Sequence, residues 1–217
     1  MPGGKSKKKK SKTGTGGHKN GVVDQEYYQI LLLGVGGVGK SSLVLQLVFN
    51  EFHDEYRPSE VDNYQAQVEA DGIVSRVDVL DTSGQEEYAL ARDSYIRNSM
   101  GFLAVFSIAE QDSFDALPEL VDAVRRVKRG EDAPIIVVGN KSDLKEQRVV
   151  WESQGRDYAE SNHLIYFETS AKTSENVTPM FVELVRQMRA TRAAAAAQNG
   201  AVRSGGHGGR RRRCVIL

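Results

Sequence analysis

Several things are scarce in this 217-residue chain. It has one cysteine, Cys214, so no internal disulfide can form, and a reducing compartment suits it. Its four histidines (His18, His53, His163 and His207) are scattered, with no spacing that would hold a metal. No apolar run approaches the roughly 18 residues of a membrane-spanning helix. No apolar stretch follows the charged start, so no secretory leader is expected. Net charge is also lacking, because 29 basic residues face 29 acidic ones. That balance hides a polarity. Residues 1–20 carry seven lysines and residues 203–213 five arginines, leaving 17 basic against 29 acidic residues in a body near −12. Basic tails on an acidic body point to an anionic surface as the partner of the tails. They argue against a nucleic-acid groove on the body itself.

The 40% hydrophobic content fills a sizeable core, and the length suits one domain with tails. Residues 1–26 form a basic extension, rich in Gly, Ser, Thr and Lys, expected to be disordered. The Lys7–Lys10 run reads first as a solvated tail, with a nuclear signal or a membrane-attracted arm as alternatives.

The strongest local signal is Gly34-Val35-Gly36-Gly37-Val38-Gly39-Lys40-Ser41, which fits G-x-x-x-x-G-K-[ST]. The apolar strand Tyr28–Leu33 precedes it, and a helix with apolar residues at helical spacing follows to about Asn50. In that context Gly34, Gly36, Gly37, Val38 and Gly39 wrap backbone N–H groups around phosphates. The start of the helix, Lys40-Ser41-Ser42, adds positive potential. Lys40 neutralises β- and γ-phosphates, and the Ser41 hydroxyl ligates Mg²⁺.

Further on, Val61–Glu69 and Val74–Leu80 read as two strands joined at Asp71-Gly72. The second ends at Asp81-Thr82-Ser83-Gly84-Gln85. Behind a phosphate loop, Asp81 can hold Mg²⁺ through water, the Gly84 amide can meet a γ-phosphate, and Gln85 can orient an attacking water. A polar, helical stretch reaches Ser99, and Phe102–Phe106 is an apolar run expected of a strand covered on both faces. Ser113–Lys128 reads as one amphipathic helix, with Pro118 tolerated near its first turn. Strand Ile135–Val138 ends at Asn140-Lys141-Ser142-Asp143. There the Asp143 carboxylate can accept two parallel hydrogen bonds from guanine's N1–H and exocyclic amine, which adenine does not offer. Asn140 can brace the loop, and the Lys141 stem can cover the base. Helix Trp151–Ser161, strand Leu164–Phe167 and helix Asn176–Ala197 complete the pattern. After that last strand, Glu168-Thr169-Ser170-Ala171-Lys172 supplies amides near the guanine carbonyl. Alternating strands and helices imply a mostly parallel sheet covered on both faces, with one antiparallel edge strand from the hairpin. Ligands of such sheets bind beyond the carboxyl ends of the strands, where every one of these motifs falls.

Four motifs in this order and spacing resemble the Ras superfamily of small GTPases, and Phe52–Tyr56, Asp81–Tyr88 and Gly101–Leu103 are most similar to its Ras branch, the Ras, Ral and Rap group. The likeness covers about residues 27–192, which form the expected G domain. It implies an α/β, phosphate-loop NTPase small G domain with a six-stranded sheet, GTP and GDP binding, Mg²⁺, and slow GTP hydrolysis accelerated by an activating protein. By the same likeness Phe52 stacks on guanine, and Ser59 matches a threonine that joins Ser41 and Asp81 at Mg²⁺. Gln85 and Lys40 are the catalytic pair. Ser170, Ala171 and Lys172 complete the nucleotide set. Residues 54–64 and 83–99 match the two switches, where exchange factors, activating proteins and effectors bind.

The chain departs from that pattern in places. Serine at 59 lacks the β-branch of threonine, so the first switch is expected to close less completely on GTP. Glu60-Val61 alters the effector-facing residues, and Ser83 stands where alanine is usual. Arg57 reads as a solvated side chain rather than a built-in arginine finger.

Residues 193–217 read as a flexible tail. Cys214-Val215-Ile216-Leu217 fits C-a-a-X, whose final leucine favours geranylgeranylation of Cys214. One prenyl chain anchors weakly, and Arg210–Arg213 supply the second signal at an anionic leaflet. Gln198–Gly209 is the expected tether. The whole reads as a lipid-anchored GTP/GDP switch on the cytoplasmic face of the plasma membrane or an endomembrane. A guanine-nucleotide scaffold with little hydrolysis is the alternative. A phosphate-loop ATPase or nucleotide kinase is opposed by Asn140–Asp143.

Overall fold

A computed structural model describes residues 26–53, 62–82, 89–129 and 132–204. Among the described residues six strands are interspersed with six α-helices. They run β1 (Tyr27–Leu33), α1 (Lys40–Phe49), β2 (Asp62–Ala70), β3 (Ile73–Asp81), α2 (Ala89–Asn98), β4 (Gly101–Ser107), α3 (Gln111–Asp115), α4 (Leu117–Lys128), β5 (Ile135–Asn140), α5 (Glu152–Ser161), β6 (Ile165–Glu168) and α6 (Val177–Ser204). The strands form one sheet in the order β2-β3-β1-β4-β5-β6. β2 runs antiparallel to β3, and every other neighbouring pair is parallel. The expected architecture is present, with the hairpin placing the antiparallel strand at one edge.

The hairpin turns at Asp71-Gly72, whose φ angles are 56° and 76°. Two left-handed residues in sequence give the turn whose twist matches that of paired strands.

Burial on both faces explains the apolar runs. Tyr28, Ile30 and Leu32 of β1 join Leu103 and Val105 of β4 beneath α1 and α6. Leu31 and Leu33 join Phe102, Ala104 and Phe106 on the other face, packed by Ile96 of α2, Val121 and Val124 of α4 and Ala159 of α5. Successive strand residues point to opposite faces, so a doubly covered strand must be apolar throughout.

Two elements differ from the sequence expectation. The single helix expected over Ser113–Lys128 is two, α3 and α4, meeting at Ala116. Pro118 stands at the start of α4. It has no N–H to return to the Phe114 carbonyl, so the helical ladder lapses there. At the other end, α6 continues past Ala197, and past residue 192 where the flexible tail was expected to begin, as far as Ser204. Ala193–Ala197 is a run of the best helix-forming residue, which propagates a helix already nucleated on the core. No helix among the described residues is long and apolar enough to cross a membrane.

Away from the carboxyl ends of the parallel strands, charged pairs tie α6 to the sheet. Arg189 meets Glu26 at 2.8 Å and donates to the Ser75 hydroxyl at 3.2 Å and the Ala70 carbonyl at 3.1 Å. Arg186 pairs with Asp71 of the hairpin turn at 2.7 Å.

Candidate functional site

The loop from Gly34 to Gly39 joins the carboxyl end of β1 to the start of α1. Gly39 caps α1 in the left-handed region, at φ 94°, and has no side chain to satisfy the helix's first N–H groups. No acidic residue stands in the first turn. The positive end of α1 is therefore left to an anion, as expected of a phosphate site. Glycine at 39 is required twice over. An added Cβ would lie 2.4 Å from Asn140 Nδ2, and the backbone is in a region that other residues rarely adopt. At Gly34 an added Cβ would meet the Val105 carbonyl of β4 at 2.4 Å, so the loop lies directly on the sheet. Val38 is fully buried and anchors the loop in the core, while Gly36 is exposed at its tip.

Lys40 folds back across this loop. Its ammonium donates to the carbonyls of Gly34 and Val35, each at 3.0 Å, and the side chain is buried. Burial pulls its pKa down, and the negative charge of Asp81 opposes that shift. Asp81, at the end of β3, is 0% exposed, and neither carboxylate oxygen completes a hydrogen bond. Burial pushes its pKa up, the Ser41 hydroxyl and Lys40 charge beside it work the other way, and Asp62 adds to the rise. A carboxylate this deeply buried, with so little around it to satisfy its oxygens, is costly unless something positive joins it. Two hard oxygen donors, Ser41 and Asp81, next to a phosphate loop fit a divalent cation that takes its other ligands from phosphate and water. Thr82 fixes this end of β3 by donating from its hydroxyl to the Leu32 carbonyl at 3.0 Å.

The residues expected from the sequence to read the base lie beyond β5 and β6. Asn140 is 1% exposed and donates from Nδ2 to the Val38 carbonyl at 2.9 Å. Its Oδ1 accepts from the Thr169 hydroxyl at 3.2 Å. One side chain thus joins the loops after β1, β5 and β6. Asp143 Oδ1 accepts from the Ser170 hydroxyl at 2.6 Å. Lys141, at φ 66°, pairs its ammonium with Glu110 at 3.1 Å. Ala171 is buried, and the Phe52 ring lies beneath the Lys172 ammonium at 5.8 Å. Phe52, Lys172, Lys141 and Asp143 thereby come from loops after α1, β6 and β5. Ser42, in the first turn of α1, completes the predicted residues on this side. Ser59, Gly84, Gln85 and Cys214 lie outside the described residues, as do Arg57, Glu60-Val61 and Ser83.

Sequence reasoning missed the residues that brace these loops. Arg148 forms two parallel bonds to Glu168, Nη1 to Oε1 at 2.7 Å and Nη2 to Oε2 at 2.8 Å, and also donates to the Val150 carbonyl at 3.1 Å. The Tyr166 hydroxyl donates to the same Glu168 carboxylate at 3.0 Å, and burial beside that charge pushes its pKa far up. Glu168 directly precedes Thr169, so the pair holds the β6 loop where it must sit. A lone arginine 20 residues from its partner gives no periodic signal.

A phosphate loop, a buried carboxylate with a serine, and a carboxylate placed as a guanine acceptor would be, all at the carboxyl ends of the parallel strands of one sheet, define a small G domain. The model of the Ras family matches residues 29–190. The chain is 44% identical to the Ras-related protein O-RAL of Diplobatis ommata over 192 residues, covering 88% of this chain and 93% of that protein. It is 48% identical to the Ras-related protein Ral-B of Rattus norvegicus over 164 residues, covering 75% and 80%. With the Ras-related protein ralB-B of Xenopus laevis it shares 43% identity over 192 residues, covering 88% and 93%. The chain belongs to the Ras family, in its Ras/Ral-like branch, and is a small GTPase, an enzyme that hydrolyses GTP.

Proposed function

We propose that this chain is a membrane-tethered GTP/GDP switch in signal transduction. The observation that carries the nucleotide reading is the bond from Asn140 to the Val38 carbonyl, which makes the phosphate loop and the base-reading loop one unit. Gly34, Gly36, Gly37, Val38, Gly39, Lys40, Ser41 and Ser42 bind the phosphates. Phe52, Asn140, Lys141, Asp143, Ser170, Ala171 and Lys172 hold and select the guanine. Ser41, Ser59 and Asp81 would hold Mg²⁺, which when bound shields the phosphate charge during displacement.

In the hydrolytic reaction the Lys40 ammonium, held across the loop by the Gly34 and Val35 carbonyls, directs its charge to the β- and γ-phosphate oxygens. The Gly84 amide meets the γ-phosphate, and Gln85 orients the attacking water. The chain's contribution is placement and electrostatics, with water as the nucleophile. Residues 54–64 and 83–99 order around the γ-phosphate and relax on its loss, and exchange factors, activating proteins and effectors bind them. Cys214 carries a prenyl chain. Together with Arg210–Arg213 it holds the protein on an anionic cytoplasmic leaflet of the plasma membrane or an endomembrane.

Single-turnover hydrolysis of GTP, with and without an activating protein, tests the switch. Stimulated turnover that disappears in Gln85→Ala is the expected result. Tight GTP binding with no turnover under either condition would replace the switch by a guanine-nucleotide scaffold. Cys214→Ser should move the protein from the membrane fraction to the soluble fraction, and unchanged partitioning would remove the lipid anchor.

A further inference from the structure

Outside the four motifs, Glu175 touches both loops that read the base. It lies in the turn between Lys172 and α6. Its backbone carbonyl accepts from the Ser170 N–H at 3.1 Å, in an isolated antiparallel bridge. Its side chain reaches the other loop, where Oε2 accepts from the Ser142 hydroxyl at 2.8 Å. Ser142 is the third residue of Asn140–Asp143 and is 5% exposed.

The turn that presents Glu175 is held on both sides. Ser174 and Asn176 flank it in left-handed conformations, at φ 64° and 56°. The Ser174 hydroxyl accepts from Gln46 of α1 at 3.2 Å, and Asn176 Nδ2 donates to the Glu168 carbonyl at 2.8 Å. Ser170 then carries the constraint to the acceptor itself. Its hydroxyl donates to Asp143 Oδ1 at 2.6 Å while accepting from the Thr173 N–H at 3.1 Å. A carboxylate has about four lone-pair sites, so that bond leaves room for a base edge while fixing the plane of the carboxylate. Two parallel bonds to a base tolerate little rotation of that plane.

We propose that Glu175 is a positioning residue for the nucleotide base. By clasping Ser142 to the Ser170 loop it sets the orientation of Asp143, and so both the residence time of guanine nucleotide and the sharpness with which guanine is chosen. The proposal rests on reading Asp143 as the guanine acceptor. The main-chain bond from Ser142 N–H to the Thr169 carbonyl, 2.9 Å, does not depend on the Glu175 side chain, so its loss loosens the site without dismantling it.

The test uses the full chain and two nucleotides, GDP and inosine diphosphate, which differ by the exocyclic amine. Release rates and affinities are measured for wild type, Glu175→Ala, Glu175→Gln, Ser142→Ala and the double alanine variant. Each single alanine variant should release GDP about three- to tenfold faster, the size of one typical net hydrogen bond. The double variant should be no faster than either single, because both remove the same bond. Glu175→Gln should stay near wild type, since its amide oxygen accepts the same bond. In the alanine variants the preference for GDP over inosine diphosphate should shrink. Release rates within twofold of wild type overturn the proposal. So does equal acceleration for both nucleotides, which is what a purely structural loosening gives. A wild type that binds the two alike overturns the guanine reading itself, and the proposal with it.

Discussion

Asn140 and Val38 are joined by a hydrogen bond of 2.9 Å across 102 residues of sequence. The donor is a side-chain amide at the end of β5, in the loop proposed to read the base, and the acceptor is the main chain of the glycine loop after β1. Moving one loop therefore moves the other. Asn140→Ala leaves the Val38 carbonyl and the Thr169 hydroxyl without this partner, at a cost of about 1–3 kcal/mol for a buried unsatisfied group. A titration with fluorescent GDP should show at least tenfold weaker binding. Gly39→Ala should act on the same contact, because its Cβ meets Asn140 Nδ2 and its backbone is left-handed.

Asp81, the proposed cation ligand, is buried beside the Ser41 hydroxyl and the Lys40 charge. In wild type, chelating divalent cations should speed GDP release. Asp81→Ala should release GDP quickly with or without the chelator. A variant that still responds fully to chelation would move the cation to other residues.

The Arg148–Glu168 pair is largely buried, with side chains 14% and 17% exposed. Removing one partner strands the other charge, so Arg148→Ala should lower stability by about 3 kcal/mol in urea denaturation. Arg148→Lys should recover only part of this, since an ammonium cannot form the two parallel bonds of a guanidinium. Because Glu168 leads into Thr169, nucleotide affinity should fall with stability.

Glu26 and Arg189 give a pH signature remote from the site. Burial raises the Glu26 pKa, but the hydrogen bonds from Arg189 and Ser75 and the arginine charges outweigh it, so the folded value lies below the ordinary 4.5. A depressed carboxylate stabilises the fold above its unfolded pKa, and that contribution is lost as pH falls through the folded value. Arg189→Ala should therefore cost about 1 kcal/mol near neutral pH, as partly exposed pairs do. The gap in melting temperature between variant and wild type should close as the pH drops below 4.5.

Much of the fold was legible because its causes are local. The apolar runs of β1, β4 and β5 announce strands covered on both faces. Asp71-Gly72 announces the hairpin, and the glycines before Lys40 announce the phosphate loop. Local signals also set where reading failed. The periodicity reads Ser113–Lys128 as one helix with Pro118 near its first turn, whereas Pro118 opens a second helix that starts at Leu117. The last helix, read from sequence to end at Ala197, runs on to Ser204 because a helix once formed propagates cheaply beyond its alanine run.

By itself, then, the sequence determined the strands and helices and the motifs expected to meet phosphate and guanine, since each motif is a run of adjacent residues, while Phe52 and Ser59 entered only through the family resemblance. The tertiary structure decided how those residues are held. The bonds Asn140 to Val38, Arg148 to Glu168, Ser142 to Glu175 and Arg189 to Glu26 join loops and helices that only the strand order β2-β3-β1-β4-β5-β6 makes neighbours. A polar side chain in a loop has no periodicity to betray its partner, so its meaning appears when the sheet brings the partner within reach.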